Sequence, residues 1–478
     1  MRLGQAIDAT TGAHEHTAAA AAEARLMREL RSWVLLAAGS LAVAGVFAFL
    51  LALSRVPGSE RLVHWPLEFF PKGLVIHVVF SLVVWFLTVF ALMATMAARE
   101  ISDGALKAAG LGRVGIALVS MAFPLLFLPG FGERSEPTLN NYIPVIIDPY
   151  FYAGLVVLAA GILMPVLRLI ANVIGATRPV TGLAAAMTAA GAVYGVALVS
   201  FAIGAFNVWG ETPSRLMHEH LFLGGGHNLQ FVYAILMLSG WFLLARASLG
   251  EDAVAEGTLG LAAGLVALFA LASPVFYAAF EPFSAGQQEA FRLLQFLLAI
   301  PTLVLAAAIL PAVLRRRQAT GALPWRDPAF LALVLSAAVF AIGGVMGFLL
   351  AGQDTRTPAH YHGVIAAVNL AVMGVMLVYV LPRIGRPVSK RARVRLQLLL
   401  FGCGQAMASC GLFLAGGYGA PRKTPSGAVD LVDEARIGMA LNGFGALFAV
   451  IGGVLFVATV LHAVLRRDSA STTGKPIA

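Results

Sequence analysis

The sequence predicts an all-α membrane protein with twelve transmembrane helices. Hydrophobic residues make up 59% of its 478 residues, and charged residues only 12%. One water-soluble core cannot bury that much apolar surface, because even a large domain leaves about a quarter of its surface in water. Apolar runs of roughly 18 to 25 residues recur along the chain, and each is long enough to cross about 30 Å of hydrocarbon at 1.5 Å per residue. The solvent around most of the chain is therefore predicted to be lipid.

The predicted spans follow one another along the whole chain. In the first half they run Trp33 to Leu53, Gly73 to Met96, Gly110 to Leu128, Tyr150 to Ile174, Thr181 to Phe206 and Phe222 to Leu244. In the second half they run Leu259 to Phe280, Phe291 to Leu314, Pro328 to Leu350, Pro358 to Leu381, Leu396 to Leu414 and Ile437 to Leu465. Residues 32–466 then form one membrane domain between an N-terminal tail, 1–31, and a C-terminal tail, 467–478. The N-terminal residues lack the apolar stretch and cleavage site of a signal peptide, so no removable one is expected.

The net charge of +9 is explained by membrane topology, without a nucleic-acid partner. Most basic residues fall in the termini and in alternate loops, which is the pattern of cytoplasmic segments. This side carries Arg25, Arg28 and Arg31, Arg315 to Arg317, the run from Arg383 to Arg395, and Arg466 and Arg467. We therefore expect both termini in the cytoplasm, and the chain in a bacterial cytoplasmic (inner) membrane.

Four histidines lie inside predicted spans at a common depth: His77, His227, His360 and His362. Ionisable side chains at the centre of a membrane helix cost about 2.5 kcal/mol or more, so those that persist are candidates for function. The second, sixth and tenth spans all run inward from the outer face, which places the four imidazoles roughly 8 to 10 Å below it. A single one would be explained equally well as a hydrogen-bonded core residue, whereas four on three helices favour a shared site.

His360 and His362 are two residues apart, so they project about 200° apart on one helix. This spacing suits a helix between two flat cofactors, with His362 on one iron and His360 on a second. Haem is favoured, because imidazole is its common axial ligand. Zinc is disfavoured, since ligands that point apart cannot close one tetrahedron. The chain has no CxxCH for covalent haem attachment, and Cys403 and Cys410 are interpreted as small core residues.

The tenth span carries the most specific resemblance to a known family. Its stretch from Asp354 to His362 is similar to the paired-histidine segment in subunit I of the haem-copper oxidases and nitric oxide reductases. The resemblance implies the twelve-helix subunit I arrangement, with a low-spin haem held by His77 and His362. It also implies a high-spin haem held by His360.

Two other stretches share the resemblance. The segment from His220 to His227 is similar to the family's sixth-span entry, which implies that His227 is the first ligand of a non-haem copper or iron. The outer loop after the eleventh span is similar to the segment that neutralises haem propionates, which implies this role for Arg422 and Lys423. Arginine also binds carboxylates bidentately, although an interfacial anchor is the alternative. Asp354 either joins this polar layer or is an ordinary loop residue.

One departure from the family pattern affects the non-haem metal. The family has two adjacent histidines between its seventh and eighth spans, and the best counterpart here is Gln287 and Gln288. Amide oxygens bind soft or borderline metals poorly compared with imidazole, so we expect the copper site to be incomplete. The alternative is that this pair simply belongs to a polar outer loop.

Other departures affect proton supply. After His227 the chain reads Asn228-Leu229-Gln230-Phe231, without the glutamate and cross-linked tyrosine of the oxygen-reducing members. Leu305 replaces a lysine that feeds protons in many members. Tyr277 is a candidate for the seventh-span tyrosine of some oxidases, or is an interfacial aromatic. Proton pumping by the family's usual routes is therefore not expected.

The resemblance implies a membrane haemoprotein of aerobic respiration. Its activity would be that of an oxidoreductase of the terminal oxidase or nitric oxide reductase type. No catalytic residue is assigned. Electrons would arrive from a cytochrome or cupredoxin-type subunit at the outer face and reach O2 or NO on the high-spin haem. Alternatives are a non-catalytic electron-transfer or gas-sensing variant, a haem- or metal-handling assembly factor, and a twelve-span secondary transporter. The half-repeats and midplane charge typical of such transporters are not evident in the sequence.

Overall fold

The computed structural model of the chain describes residues 2–53, 69–133, 135–350, 354–422 and 430–466. Twelve helices in these ranges are long and apolar enough to cross a membrane, which confirms the predicted fold class. The first six are α1 (Arg2–Leu53), α2 (Phe69–Glu100), α3 (Ala109–Phe131), α4 (Pro149–Ile174), α5 (Gly182–Asn207) and α6 (Arg215–Leu249). The second six are α7 (Glu256–Ala279), α8 (Ala285–Thr320), α9 (Pro328–Phe348), α10 (Arg356–Arg383), α11 (Arg391–Gly417) and α12 (Asp433–Leu465).

Prolines interrupt two of these helices. α7 breaks at Leu271, just ahead of Pro274, and α8 breaks at Leu297 and Leu298, just ahead of Pro301. A proline has no N–H, and its ring crowds the carbonyl four residues earlier, so the hydrogen-bond ladder cannot continue across that turn.

Three helices form the interior of the bundle. In the most apolar stretch of α10, 83% of the residues are buried, and the corresponding fractions are 72% for α2 and 61% for α6. In the other nine spans the fraction is 50% or less, because one side of each faces lipid. The four histidines singled out by the sequence all lie on the three central helices.

α1 continues without a break through the boundary predicted at residue 31. Just before that boundary, Glu29 forms a bidentate ion pair with Arg168 of α4, with N–O distances of 2.5 and 2.9 Å. Arg168 is fully buried and also donates to the Thr95 hydroxyl of α2 at 2.6 Å. This part of the predicted N-terminal tail is therefore packed into the membrane domain.

A short antiparallel hairpin of β1 (Glu136–Thr138) and β2 (Val145–Ile147) lies over the outer end of α6. It is attached there through the buried His218. The Nδ1 of His218 is 3.0 Å from the hydroxyl of Thr138, and its Nε2 is 2.9 Å from the hydroxyl of Tyr152 on α4. The loop of the hairpin carries Tyr142 toward the centre of the bundle.

The backbones of α11 and α12 are in direct contact along a seam of glycines. A Cβ at any of these glycines would clash with backbone atoms of the facing helix: Gly404, Gly411, Gly438, Gly445 and Gly452. Cys403 and Cys410 are turned away from the seam and are exposed, so their interpretation as core residues was wrong. The physical reason is that lipid and protein interior are equally apolar, so hydropathy does not distinguish the two faces of such a helix.

Candidate functional site

Three of the four candidate histidines have the same hydrogen-bond arrangement. Each is bonded through Nδ1 to a backbone carbonyl: His77 to Ala44 at 2.9 Å, His227 to Leu223 at 2.7 Å, and His360 to Gly343 at 2.7 Å. A carbonyl oxygen only accepts, so each Nδ1 carries the proton, and Nε2 is the nitrogen through which a neutral ring would bind a metal. Metal-binding histidines typically have this arrangement, because the outer hydrogen bond fixes the tautomer and the ring orientation.

The two histidines of α10 have different surroundings. The ring of His360 lies against α9, so close to Gly347 that a Cβ there would be 2.7 Å from the imidazole. His362 is exposed, and its ring lies 5.4 Å from that of Tyr361, which is 37% exposed. Residues 366–377 of the same helix are all buried. At the level of His362, α10 is therefore less enclosed than in its central part.

The glycines from Gly224 to Gly226, just before His227, leave room for aromatic side chains to pack against α6. A Cβ at Gly224 would lie 2.6 Å from the hydroxyl of Tyr277, and one at Gly226 would lie 2.9 Å from the Cβ of Tyr142. Glycine is required at both positions, because any larger residue would displace a ring. The outer end of α6 is thereby enclosed by α7 and by the loop of the hairpin.

His227 is buried within this aromatic cluster. Its ring stacks on Phe291 of α8 with centroids 5.3 Å apart, and the ring of Tyr142 lies 5.0 Å away. The hydroxyl of Tyr277 accepts a hydrogen bond of 3.2 Å from the N–H of Gly224, so the structure brings both candidates, His227 and Tyr277, into one cluster. Burial raises the pKa of Tyr142, which keeps this phenol protonated.

A cavity of about 410 Å³ lies beside His227. Its walls combine an imidazole, a phenol, an amide and an ion pair, and they are formed by Tyr142, His227, Ala285, Gln288, Glu289 and Arg292. The ion pair joins Glu289 to Arg292 with an N–O distance of 2.5 Å. This volume falls within the usual range of small-molecule sites.

The two glutamines hold the backbone of the neighbouring loop. They lie in the first turn of α8, and Gln287 is fully buried. The Oε1 of Gln287 accepts from the N–H of Phe283 at 2.8 Å, while the Nε2 of Gln288 donates to the carbonyl of the same residue at 2.8 Å. Phe283 has a φ of +57°, which is strained for a residue with a side chain. The pair therefore fixes a strained turn at the start of α8.

Polar residues gather where α10 begins and α11 ends. Asp354 is paired with Arg356 at 2.7 Å, and its neighbour Thr355 donates its N–H to the carbonyl of Ala420 at 3.0 Å. Arg422 follows in this second segment and donates to Asn141 of the hairpin loop at 3.2 Å. The Arg356 guanidinium, hydrogen-bonded to Asp354, holds the pKa of that carboxyl below its usual value.

Lys423, the other residue predicted for the propionates, lies outside the described residues. Two further cations near the site were missed in the sequence analysis. Arg356 lies four residues before His360, on the same side of α10. Lys72 is 8% exposed, lies five residues before His77, and donates to the carbonyl of Gly132 at 2.8 Å. A cation one turn ahead of a span histidine was the signal that could have identified both.

The region below His227 is polar but uncharged. The amide of Asn228 donates to the hydroxyl of Ser200 at 3.2 Å and accepts from that of Ser273 at 3.0 Å, which joins α5, α6 and α7. Leu305, at the position of the family's lysine, is fully buried. Within the described ranges, no three His, Cys, Asp or Glu side chains are placed to hold a metal ion.

Comparisons of sequence and of fold with known proteins point to the same family. The chain matches the family model described as cytochrome c and quinol oxidase polypeptide I over residues 30–464. Its fold is similar to that of a haem-copper terminal oxidase dimer determined by cryo-EM, with a TM-score of 0.74 and 16% identity, covering 94% of this chain and 85% of that one.

Individual proteins of similar sequence also match the chain. An uncharacterised protein of Aquifex aeolicus is 28% identical over 352 residues, which is 73% of this chain and 83% of that protein. Cytochrome c oxidase subunit 1 of Thermus thermophilus is 31% identical over 198 residues, which is 37% of this chain and 35% of that protein.

Proposed function

The chain belongs to the cytochrome c and quinol oxidase polypeptide I family, subunit I of the haem-copper oxidases, and from this premise we propose that it is a respiratory haemoprotein with two haems. Electrons would pass through a low-spin haem to a high-spin haem that binds or reduces O2 or NO. The observation that carries this proposal is that the three most buried helices each present a histidine whose Nδ1 is held by a backbone carbonyl. Membership of this family argues against the transporter and assembly-factor alternatives.

The residues present fit haem. His77 and His362 would hold the low-spin haem, and His360 the high-spin haem. The Nδ1 atoms of His77 and His360 are held by backbone carbonyls, which would direct Nε2 toward an iron, and His362 is exposed, as binding of a flat macrocycle requires. When bound, the haems supply one-electron transfer and one open coordination position. The hydrogen bonds from Nδ1 to Ala44 and Gly343 would orient two of these ligands and raise their basicity.

The outer polar layer fits the propionates. Two carboxylates at the edge of each haem require cations, and this layer offers Arg356, Arg422 and Lys72, with Lys423 also predicted for the role. Arg356 forms an ion pair with Asp354, so the net positive charge near His360 is small. We expect an electron-donating cytochrome or cupredoxin-type subunit to bind at this outer face, and the basic loops to face the bacterial cytoplasm.

The residues present do not fit the family's copper. Of the three imidazoles that would bind it, only His227 is retained. The side-chain amide of Gln287 is engaged at both ends, because its oxygen accepts from the N–H of Phe283 and its nitrogen donates to the carbonyl of Phe276. Copper prefers imidazole to amide oxygen. This observation supports a second candidate, in which the chain transfers electrons or binds a gas on the second haem without reducing it.

The test is a reduced-minus-oxidised spectrum of the purified protein, repeated with carbon monoxide, together with a metal count. We expect two haem irons per chain, one of which shifts on carbon monoxide, and copper far below one per chain. Replacing His362 by Leu should remove the low-spin bands, whereas the control His462→Leu, at the inner end of α12, should leave both haems unchanged. A wild-type protein without stoichiometric haem would contradict the proposal, and one copper per chain would contradict the incomplete site.

A further inference from the structure

Tyr142 reaches the interior of the bundle from a loop that lies outside the membrane helices. The loop joins β1, which ends at Thr138, to β2, which begins at Val145. Loop side chains ordinarily lie at the surface. The ring of Tyr142 instead lies 5.0 Å from that of His227, on one of the three central helices. The surrounding structure must therefore hold this phenol in place.

The loop is fixed by two of its own side chains. The oxygen of the Asn140 amide accepts from the N–H of Tyr142 at 2.9 Å, and its nitrogen donates to the carbonyl of Ile143. Asparagine often closes a turn in this way, by bonding to the backbone two residues on. The next residue, Asn141, accepts a hydrogen bond of 3.2 Å from Arg422, which follows α11. The backbone on both sides of Tyr142 is therefore held.

α6 is shaped to receive the ring of Tyr142. A Cβ at Gly226 would lie 2.9 Å from the Cβ of Tyr142, so a glycine is what allows the loop to approach the helix. The hairpin is also attached to α6 through His218, whose Nδ1 lies 3.0 Å from the hydroxyl of Thr138. The asparagine turn, the hairpin attachment and the glycine all act on the same side chain, which gives the phenol one defined position.

Tyr142 and Tyr277 differ in what their hydroxyl groups contact. The hydroxyl of Tyr277 accepts from the N–H of Gly224 at 3.2 Å. The hydroxyl of Tyr142 makes no hydrogen bond to another residue in the part of the chain that the structure describes. Burial raises the pKa of Tyr142, and the nearby Glu219 carboxylate raises it further, so the phenol keeps its proton. Tyr142 is therefore a hydrogen-bond donor in the wall of the cavity of about 410 Å³.

His227 lines the same cavity. Its Nδ1 is bonded to the carbonyl of Leu223 at 2.7 Å, so Nε2 is the nitrogen that would accept a proton or bind a metal. In the arrangement that the family resemblance implies, His227 faces the high-spin haem on the side where a small ligand binds. Glu289 and Arg292, also in the cavity wall, are bonded to each other and neutralise one another. Tyr142 is thus the uncharged proton donor of this cavity.

We propose that Tyr142 donates a hydrogen bond to the small ligand of the high-spin haem, and that it is the proton donor when O2 or NO is reduced there. The inference rests on the proposed function. In the reduction, the O–H bond of Tyr142 breaks and an O–H bond forms on an oxygen atom of the substrate, while the electrons arrive from the donor through the low-spin haem. The phenolate then regains a proton from water. Hydrogen-bond donors beside a haem decide whether a ligand is only bound or also activated.

The test measures the infrared stretching frequency of carbon monoxide bound to the reduced full-length protein, which reports the hydrogen bond whether or not the ligand is reduced. A hydrogen bond to the ligand lowers this frequency, because it draws electron density into the antibonding orbital of the C–O bond. Tyr142→Phe should therefore raise it, and the control Tyr150→Phe, at a side chain that is 68% exposed, should leave it unchanged. Gly226→Ala, which displaces the ring but keeps the phenol, should act in the same direction as Tyr142→Phe. Reduction of O2 or NO should fall about 100-fold in Tyr142→Phe, as expected for loss of a positioned acid.

Four results would overturn the inference. Equal frequencies in wild type and Tyr142→Phe, with carbon monoxide bound to both, would mean that the phenol does not contact the ligand, and would leave the proposed function intact. A shifted frequency with unchanged reduction would exclude Tyr142 as the proton donor. An equal shift in Tyr150→Phe would show that the effect does not depend on the position of the phenol. A wild-type protein that binds no carbon monoxide would contradict the proposed function, and this inference with it.

Discussion

A backbone carbonyl distinguishes the site histidines from a structural one. In His77, His227 and His360, Nδ1 is bonded to a backbone carbonyl, so Nε2 is the nitrogen that would bind a metal. His218 lies on the same helix as His227, but both of its nitrogens are bonded to hydroxyl groups, so it has no lone pair to offer a metal. The residue type is the same, and the hydrogen-bond partner determines which role is open to it.

A glycine beside His360 provides the first prediction. A Cβ at Gly347 would lie 2.7 Å from the imidazole, so Gly347→Ala should turn the ring away from its position. We expect the fraction of haem that shifts on carbon monoxide to fall several-fold, while the low-spin bands persist. Gly344→Ala is the control, because a Cβ there meets nothing within 4 Å. Equal spectra for the two variants would show that Gly347 does not position His360.

The pair of Asp354 and Arg356 gives a pH-dependent prediction. The pKa of Asp354 is lowered in the folded state by the Arg356 guanidinium, so the pair stabilises the fold above the unfolded value of about 4. This contribution is lost as the pH falls through the lowered pKa. Asp354→Asn should therefore reduce the apparent unfolding temperature near neutral pH, and the difference from wild type should disappear once the pH is below the lowered pKa of Asp354. A difference that persists unchanged at low pH would mean that charge is not the cause.

At the scale of elements, α6 and α8 both begin earlier than the spans predicted from hydropathy. α6 begins at Arg215, ahead of the predicted Phe222, so His218 is part of the helix and attaches the hairpin. α8 begins at Ala285, because the Ser284 hydroxyl caps it by accepting from the N–H of Gln287 at 3.2 Å. The glutamine pair therefore starts a helix. The first turns of both helices are polar and lie outside the apolar run, so hydropathy alone predicts that both helices begin too late in the chain.

The buried ion pair between α1 and α4 provides an element-scale prediction. Arg168→Leu would leave Glu29 largely buried without its partner, and breaking such a pair costs about 3 to 5 kcal/mol. We expect a large fall in the apparent unfolding temperature in detergent. The double variant Arg168→Leu/Glu29→Leu should recover much of it, because it removes both charges. If the double variant is as unstable as the single one, packing and not charge explains the effect.

At the scale of the whole molecule, the distribution of charge predicts orientation. The end of the bundle where α10 and α12 finish carries Arg31, Arg386 and Arg466, together with most of the arginines of the alternate loops. We expect this face in the cytoplasm, so a C-terminal epitope tag should be protected from protease in intact spheroplasts and cleaved in inverted vesicles. An engineered cysteine at Trp209, 88% exposed beyond the other end of the bundle, should show the opposite pattern with a membrane-impermeant label. Cleavage of the tag in intact spheroplasts would reverse the assignment.

The sequence by itself determined the number of spans and the shared depth of His77, His227, His360 and His362. Both follow from local composition, because a chain in lipid must satisfy its backbone within each helix, and rise per residue converts position into depth. The tertiary structure decided which nitrogen of three of these histidines is held by a backbone carbonyl, which face of α11 meets lipid, and what the glutamine pair holds. These features depend on contacts between distant segments, such as the hydrogen bonds from His77 to the carbonyl of Ala44 and from His360 to the carbonyl of Gly343. Lipid and protein interior are equally apolar, so hydropathy carries no information about which of them a side chain meets.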